Sequence, residues 1–466
     1  WVAWYNGSGN AYDGANSIAV DNSGNVYVTG RSRGSGTSDD YATLKYNVLG
    51  ALQWVSRYNG TGNLFDGARS IAVDGSGNVY VTGQSTGTGT SDDYTTIKYN
   101  ALGDQQWVSR YNGTGNFSDV ASSIAVDGFG NVYVTGSSYI NGINYDYATV
   151  KYNFLGEQQW VARYNSPDNL YALANSIAVD GSGNVYVTGS IYSIGTYSDY
   201  TTIKYNSSGV QQWVSRYNGT GNDADEVTSI AVDESGFVYV TGWSSGSGTA
   251  LDYATIKYNS FGIQQWVARY NGTGNSYDLA SSLVLDGSGN VYVTGWSFGN
   301  GTSYDYATLK YNSSGVQQWL RSYNGFGEDS TDVANSLAVD NSGNVYVTGQ
   351  SIGNGTGYDY ATIKYSQSVG IKQLSSILPN RFSISQNYPN PFNPSTKIKF
   401  DIAKSGLVKL IIFDISGKEV ASLVEENLSP GSYETEFDGS KLTSGVYFYK
   451  IETGSFTETK KMLMIK

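Results

Sequence analysis

Residues 54–106 read WVSRYNGTGNLFDGARSIAVDGSGNVYVTGQSTGTGTSDDYTTIKYNALGDQQ, and this stretch decides the fold. Its opening tryptophan recurs at Trp1, Trp54, Trp107, Trp160, Trp213, Trp266 and Trp319, always 53 residues apart. A period of this length marks solenoids and propellers, whose units bury their faces by stacking on copies of themselves. Four runs in the unit carry strand chemistry: residues 70–74 (SIAVD), 78–83 (NVYVTG), 94–100 (YTTIKYN) and 106–112 (QWVSRYN). They are rich in Val, Ile, Tyr, Thr and Trp, and Gly, Asn, Asp and Ser clusters bound them. No window has the helical spacing of apolar residues, and the glycine content would erode any helix. Four short strands form one small twisted sheet. Stacking such sheets face to face around an axis gives a β-propeller.

The connections alternate in length. Gly75-Ser76-Gly77 is a tight hairpin turn with a glycine suited to a left-handed position, and residues 101–105 are also short. Residues 84–93 and 113–122 are longer and rich in Gly, Ser, Thr and Asn. In an up-and-down sheet alternate connections share an end, so both long loops lie on one face of the disc. Binding is expected on that face.

The unit resembles the SBBP-type propeller repeat through its IAVD-x-SGNVYVTG string, residues 71–83, and it is similar to the NHL-type blade. The resemblance covers residues 1 to about 370. It implies the fold and leaves the activity open, because propellers host many unrelated functions.

The first residues, 1–6 (WVAWYN), are a fourth strand with no first three, and the last repeat stops after its third strand at residues 360–365. The two ends are complementary, so the sequence predicts a seven-bladed ring, residues 1–365, closed by pairing of 1–6 with 360–365. Such closure removes two open edges. Some repeats depart from the pattern. Repeat four has Asn165-Ser166-Pro167-Asp168-Asn169 for NGTGN and Ala172 for Asp, while Trp243 and Trp296 follow the TG of their second strands.

Residues 366–380 read as a linker, and residues 381–466 as a separate small β-sandwich, Ig-like in outline. Strands are expected at 396–402, 407–414, 419–424, 431–437, 445–452 and 457–465. This segment resembles the type A sorting domain of the type IX secretion system. The matching residues are NYPNPFNPST (387–396), FDISGKEV (413–420), SGVYFYKI (444–451) and Lys460-Lys461 with Lys466. The resemblance implies export across a Gram-negative outer membrane to the surface or medium, with the type IX machinery as partner. In that family the domain is usually cut off after passage.

Charge divides the chain in the same place. Residues 1–370 hold 16 Lys and Arg against 30 Asp and Glu, a net of −14, while residues 371–466 hold 12 against 10. An acidic propeller argues against nucleic acid or an anionic membrane as partner. The absence of Cys and His removes disulfides, thiolate nucleophiles, imidazole bases and the usual zinc sites. No run is long enough to span a bilayer. Trp1 in first place, without Met, reads as a processed N-terminus.

Three acidic sets recur. Asp21, Asp74, Asp127, Asp180, Asp233, Asp286 and Asp340 sit in the SGN turns; they lack the spacing of a calcium loop and are expected to cap their own hairpins. Asp13, Asp66, Asp119, Asp225, Asp278 and Asp332 precede the first strand and are expected to circle the channel mouth. There they offer a calcium site or simply accept loop amides. Asp40 and its equivalents up to Asp359 have a Lys five residues on, Lys45 to Lys364, whose stem is expected to pack between blades. Trp243 and Trp296 offer aromatic faces to a sugar, or cap the core between blades. No catalytic residue is assigned, because near-identical blades repeat each carboxylate around a ring, whereas glycoside hydrolysis needs unlike groups in one pocket. The sequence therefore points to a secreted or cell-surface scaffold, adhesin or self-assembling subunit that is not an enzyme, with self-assembly expected through contact of the slightly basic sorting domain with a neighbour's acidic propeller. The alternative is a protein that binds or degrades polysaccharide.

Overall fold

A computed structural model describes residues 2–140, 144–299, 303–325, 331–340, 343–352, 358–365, 372–375, 378–440, 442–454 and 456–466. Among these there is no helix. The first sheet holds Asp13–Val20, Val26–Arg33, Asp39–Tyr46 and Leu52–Tyr58, antiparallel and in that order. The same order recurs in the next five sheets, the sixth ending at Gln317–Tyr323. A further sheet contains Val333–Val339, Val345–Ile352 and Tyr358–Tyr365. From the first sheet to the seventh, successive first strands pack against one another, so they are innermost.

From the first sheet to the sixth, a tyrosine hydroxyl makes the joint to the next sheet, and in the first sheet a tryptophan and a lysine join it. In the middle, the Tyr41 hydroxyl donates to the Thr95 carbonyl at 3.2 Å, and Tyr94 repeats this with Ala148 at 3.2 Å. Further out, Trp54 lies on Gly103, whose φ of +87° excludes a side chain, and its Nε1 donates to the Ala101 carbonyl at 3.2 Å. Lys45 completes the joint. Its Nζ sits 5.1 Å from the Tyr27 ring centroid and donates to the same carbonyl at 3.3 Å. The lysine stem does pack between sheets, as expected, but its head rests on an aromatic face.

A β-bulge interrupts every first strand. In the second sheet the register slips between Ala68 and Ser70, leaving Arg69 as the extra residue. A bulge turns its extra side chain away from the ladder, and here it turns toward the centre of the ring. The bulge also explains the glycine of VYVTG. A Cβ on Gly83 would collide with the Gly67 carbonyl and lie 2.9 Å from the Tyr41 hydroxyl.

Ring closure differs from the expectation. Residues 2–6 form no strand, and the sheet of Tyr358–Tyr365 is three-stranded among the described residues. Trp1 lies outside them. Tyr360, the counterpart of the joint residue Tyr41, is 87% exposed, and Ile18 is 59% exposed where Ile71 is 7%. Yet the segment keeps an outer strand's contacts with the first sheet. Ala3 and Tyr5 pack beside Ala42, Leu44 and Tyr46. Arg57 Nη1 donates to the Tyr5 hydroxyl at 3.2 Å, as Arg269 does to Tyr217 at 3.1 Å across the same 52-residue interval. What is missing is the tie to its own sheet. Five outer strands carry an Arg there, such as Arg110, paired with Asp93 at 2.8 Å, and the sixth carries Ser322; this segment carries Trp4, 89% exposed.

The C-terminal part begins earlier than expected. Lys372–Ser375 falls in the span read as linker, yet it pairs with Gly431–Asp438. Beside it lie Ser395–Ile402 and Ser383–Ile384. A second sheet holds Glu419–Leu428, Gly406–Phe413, Gly445–Thr453 and Thr457–Met464. Both sheets share one core that includes Ile384, Phe400, Leu410, Tyr449 and Met462. The sixth sheet departs from the repeat to meet it. Its outer strand reads Arg321-Ser322 where others read Ser-Arg or Ala-Arg, which turns the guanidinium to the opposite face, and Arg321 Nη2 donates to the Glu425 carbonyl at 3.1 Å.

Gly83→Ala is expected to lower the melting temperature sharply, by about 2 kcal/mol or more of overpacking. Tyr147→Phe, which removes one of two side-chain donors to the buried Thr201 carbonyl and leaves the Thr188 hydroxyl, should cost about 0.5–1.5 kcal/mol. Calorimetric melting of both variants checks the joint. An unchanged melt for Gly83→Ala would contradict it.

Candidate site at the channel mouth

The turn carboxylates are saturated within their hairpins. Asp74 Oδ1 accepts from the Ser76 and Asn78 amides at 2.9 Å each, and Oδ2 accepts from Asn78 Nδ2 at 2.8 Å and the Tyr80 hydroxyl at 3.0 Å. Burial alone would raise this carboxyl, but these bonds outweigh it and hold Asp74 below its ordinary value of 3.8. Asp21, Asp127, Asp180 and Asp286 behave alike. The hairpin-cap reading describes them.

The six acids before the first strand do not circle an open mouth. Asp66, Asp225, Asp278 and Asp332 are fully buried, Asp119 is nearly so, and Asp13 is half-buried. Each pins its own long loop. Asp66 Oδ2 accepts the Gly60 amide at 2.7 Å, and Asp13, Asp119, Asp225, Asp278 and Asp332 accept the amides of Gly7, Gly113, Gly219, Gly272 and Gly325 at 2.5–2.9 Å. Burial pushes Asp66, Asp119, Asp225 and Asp278 above 3.8, only partly opposed by these bonds. Among the described residues no three acidic side chains come together as a metal site.

Repeat four shows what the pin is for. A Cβ on Gly60 would strike Ser85 Oγ and come within 2.7 Å of Asp66 Oδ1. Where Asp becomes Ala172, Gly becomes Ser166 and the Ser85 position becomes Ile191, all three buried. Ser166 Oγ then donates to the Tyr192 carbonyl at 2.9 Å and holds the loop instead. The departure is a compensated exchange, not an empty loop. Asp66→Ala alone should cost about 1–3 kcal/mol, the penalty of an unpaired buried amide. Adding Gly60→Ser and Ser85→Ile should recover most of it in thermal melts, and simple addition of losses would refute the exchange.

The third acidic set pairs with arginines rather than with its own lysines. Asp40 meets Arg57 at 2.9 Å, Asp93 meets Arg110 at 2.8 Å and Asp252 meets Arg269 at 2.8 Å.

The mouth itself is built from four positions of each repeat. In the first two sheets Arg31, Phe65, Gly67, Arg69 and Gln84, with Asn16, Ser122 and Asn175, line a cavity of about 480 Å³. Trp243 and Trp296 occupy the position of Gln84 on the fifth and sixth sheets, both half-buried. Trp296 meets Tyr304 edge-on at 4.5 Å. Opposite Trp243 in the ladder is Glu226, where the siblings have Gly14, Gly67, Val120, Leu173, Leu279 and Val333; burial raises its carboxyl above the ordinary value. A tyrosine chain runs over the third and fourth sheets. Tyr139 and Tyr145 are 4.6 Å apart, Tyr145 and Tyr171 6.2 Å, Tyr171 and Tyr192 6.0 Å. Glu226, Arg69 and this chain were not singled out from sequence, although alignment of the repeats position by position exposes all of them.

Six stretches, residues 5–36, 53–89, 106–144, 159–195, 212–248 and 322–355, match the SBBP β-propeller repeat. Residues 386–466 match the secretion system C-terminal sorting domain. The chain is a β-propeller repeat protein with a sorting domain. That domain implies delivery through the type IX machinery to the cell surface or the extracellular space. No helix among the described residues is long and apolar enough to cross a membrane. No curated protein matches. Two solved structures are similar at low TM-scores. One, an X-ray structure described as a gluconolactonase, has 10% identity and a TM-score of 0.32 over 64% of this chain and 88% of its own. The other, Bacteroides ovatus xyloglucan PUL GH43B, has 12% identity and a TM-score of 0.29 over 84% and 89%. At these scores neither says anything of this chain's activity.

The two buried acidic sets have opposite linkage. Asp21, Asp74, Asp127, Asp180 and Asp286 stabilise above pH 3.8, and this is lost as pH falls through their folded values, which lie lower. Asp66, Asp119, Asp225 and Asp278 have folded values above 3.8, so protonation on the way down relieves a cost. Melting temperature should hold or rise as pH falls from about 7 to about 4, then drop steeply below 3.8. Melts across this range check it; a steady decline from neutrality would contradict it. Asp119→Asn should flatten the first limb.

Proposed function

We propose that this exported chain is a non-catalytic adhesin-like binding module, its seven sheets acting as the blades of one ring and its ligand meeting the channel mouth on the long-loop side. One observation carries this. The framework positions of the repeat (the turn Asp, the joint Tyr, the glycine facing the bulge) are the same in every copy. The mouth positions differ almost everywhere: Asn16, Arg69, Ser122, Asn175, Thr228, Ser281 and Asn335 at the bulge, and Arg31, Gln84, Ser137, Ser190, Trp243, Trp296 and Gln350 beside it. A scaffold alone does not need that contrast. Half-buried tryptophans, tyrosines and amides suit a surface saccharide, aromatic faces taking the ring and amides its hydroxyls. Glu226 is the one acid among the seven residues at its position in the first strands, and hydrolysis of a glycosidic bond needs two carboxyl groups acting together.

Self-assembly is a second reading with its own observation. The tight turns of the opposite face expose Leu49, Leu102, Phe129, Phe154 and Phe261. Contact of that face with a different face of a neighbour would be heterologous and would extend rather than close.

Glycan pulldown with the full chain separates the two. Trp243→Ala with Trp296→Ala should weaken retention about tenfold or more while Phe129→Ser with Phe261→Ser leaves it intact. Retention unaffected by the tryptophan changes would overturn the mouth reading. Sedimentation that depends on concentration and is abolished by the phenylalanine changes would support assembly.

A further inference from the structure

Two cations stand in the channel of an otherwise acidic propeller. Among the seven bulge residues Arg69 alone is charged, and among the seven beside them Arg31 alone is. They belong to adjacent sheets and line the same cavity of about 480 Å³. Independent surface charges would not be expected to converge on one cavity wall.

Their surroundings hold them in place and leave donors over. Arg69 Nε and Nη2 donate to Gln84 Oε1 at 3.2 and 2.9 Å, and the guanidinium meets no carboxylate among the described residues. Gln84 is fixed in turn, because its Nε2 donates to Asp92 at 2.8 Å. Among the described residues no hydrogen bond reaches Arg69 Nη1. The Arg31 guanidinium lies 4.9 Å from the Tyr12 ring centroid and 5.7 Å from that of Phe65. Its one carboxylate neighbour, Asp39 at 3.8 Å, is held more closely by Arg33 at 3.0 Å. Asp92 is further tied by the Thr86 hydroxyl at 2.6 Å. Among the described residues, two guanidinium groups and no carboxylate stand in the cavity wall. Across it Ser122 and Asn175 supply neutral hydroxyl and amide groups.

We infer that this cavity binds an anionic saccharide, Arg69 and Arg31 taking the carboxylate and Ser122 and Asn175 the hydroxyls. The assignment rests on the mouth being the ligand site and adds the chemical class of the ligand. Planar guanidinium groups pair with a carboxylate through two parallel N–H donors, and this interaction is stronger than one between neutral groups. The aromatic-rich far side of the mouth, at Trp243 and Trp296, would take the uncharged remainder of a chain.

The test is calorimetric titration of the full chain with a glucuronate oligosaccharide and with its uncharged glucose counterpart. The acidic sugar should bind about tenfold or more tightly than the neutral one, as one charge-assisted pair implies. That preference should vanish in Arg69→Gln, survive in part in Arg69→Lys, and shrink in about 0.5 M salt. Melting should be unchanged in both variants, since Arg69 is exposed and bonds only Gln84. Equal binding of the two sugars, an unchanged preference in Arg69→Gln, or no heat with either sugar would overturn the inference. Displacement by the same concentration of inorganic sulfate would show a bare anion site and overturn the saccharide part. If Trp243→Ala abolishes neutral-sugar binding while no acidic preference exists, the mouth reading stands and this inference falls.

Discussion

The fold depends on a single close approach repeated from sheet to sheet. A tyrosine hydroxyl from the third strand of one sheet reaches the third-strand carbonyl of the next, over a glycine that faces a bulge. Each part requires the others. The bulge brings the Gly67 carbonyl so near Gly83 that no side chain fits, and the absence of a side chain lets the tyrosine in. The tyrosine then buries its ring between two sheets that could not cover their faces alone. Near-identical repeats are the natural sequence for such a stack, since every interface presents the same problem.

The same bulge separates framework from function. A regular strand alternates its side chains between two packed faces, so every residue of the innermost strand would be bound to the core. The extra residue escapes that alternation and stands at the channel. Its identity is less constrained than that of its neighbours: Asn, Arg, Ser and Thr all occur there, and Asn16, Asn175 and Thr228 use the position to donate to a first-strand carbonyl of the next sheet. The bulge is the same whichever residue stands there, so a specific site can be written onto a repeated scaffold.

Strand order, turn chemistry and the two-part organisation were legible because each follows from a local pattern repeated many times. The SGN hairpin shows the limit of that reading. Its Asp was recognisable as a cap, but the Tyr80 hydroxyl that completes its shell comes from the next strand. The long-loop acids were misplaced for a similar reason. A sequence says that Asp66 enters the innermost strand but not that Gly60, six residues before, folds back over its carboxylate. The N-terminal segment was read from its likeness to an outer strand, and Tyr5 does keep that strand's contact with Arg57. The segment carries Trp4 where five outer strands carry an arginine, but the sixth carries Ser322 there and still joins its sheet, so that exchange alone does not account for the missing ladder. Arg69 and Glu226 were hidden by the regularity of the repeat, which directs attention to what recurs rather than to what does not.

The sorting domain carries its address in folded form. Its opening motif and its last strand are more than 60 residues apart in sequence, yet they lie together. The Phe392 amide donates to the Leu463 carbonyl and the Ile465 amide to the Phe392 carbonyl, both at 3.0 Å, while the Leu463 amide donates to Asn390 Oδ1 at 2.9 Å. Asn387 is buried beneath the motif, its amide donating to the Tyr449 hydroxyl at 2.8 Å and its side chain bonding Pro389 and Thr396. A proline-rich stretch has few backbone donors and cannot hold a shape through a ladder of its own. Here the final strand and one buried asparagine supply that shape. The shape of this surface therefore depends on the whole sandwich having formed.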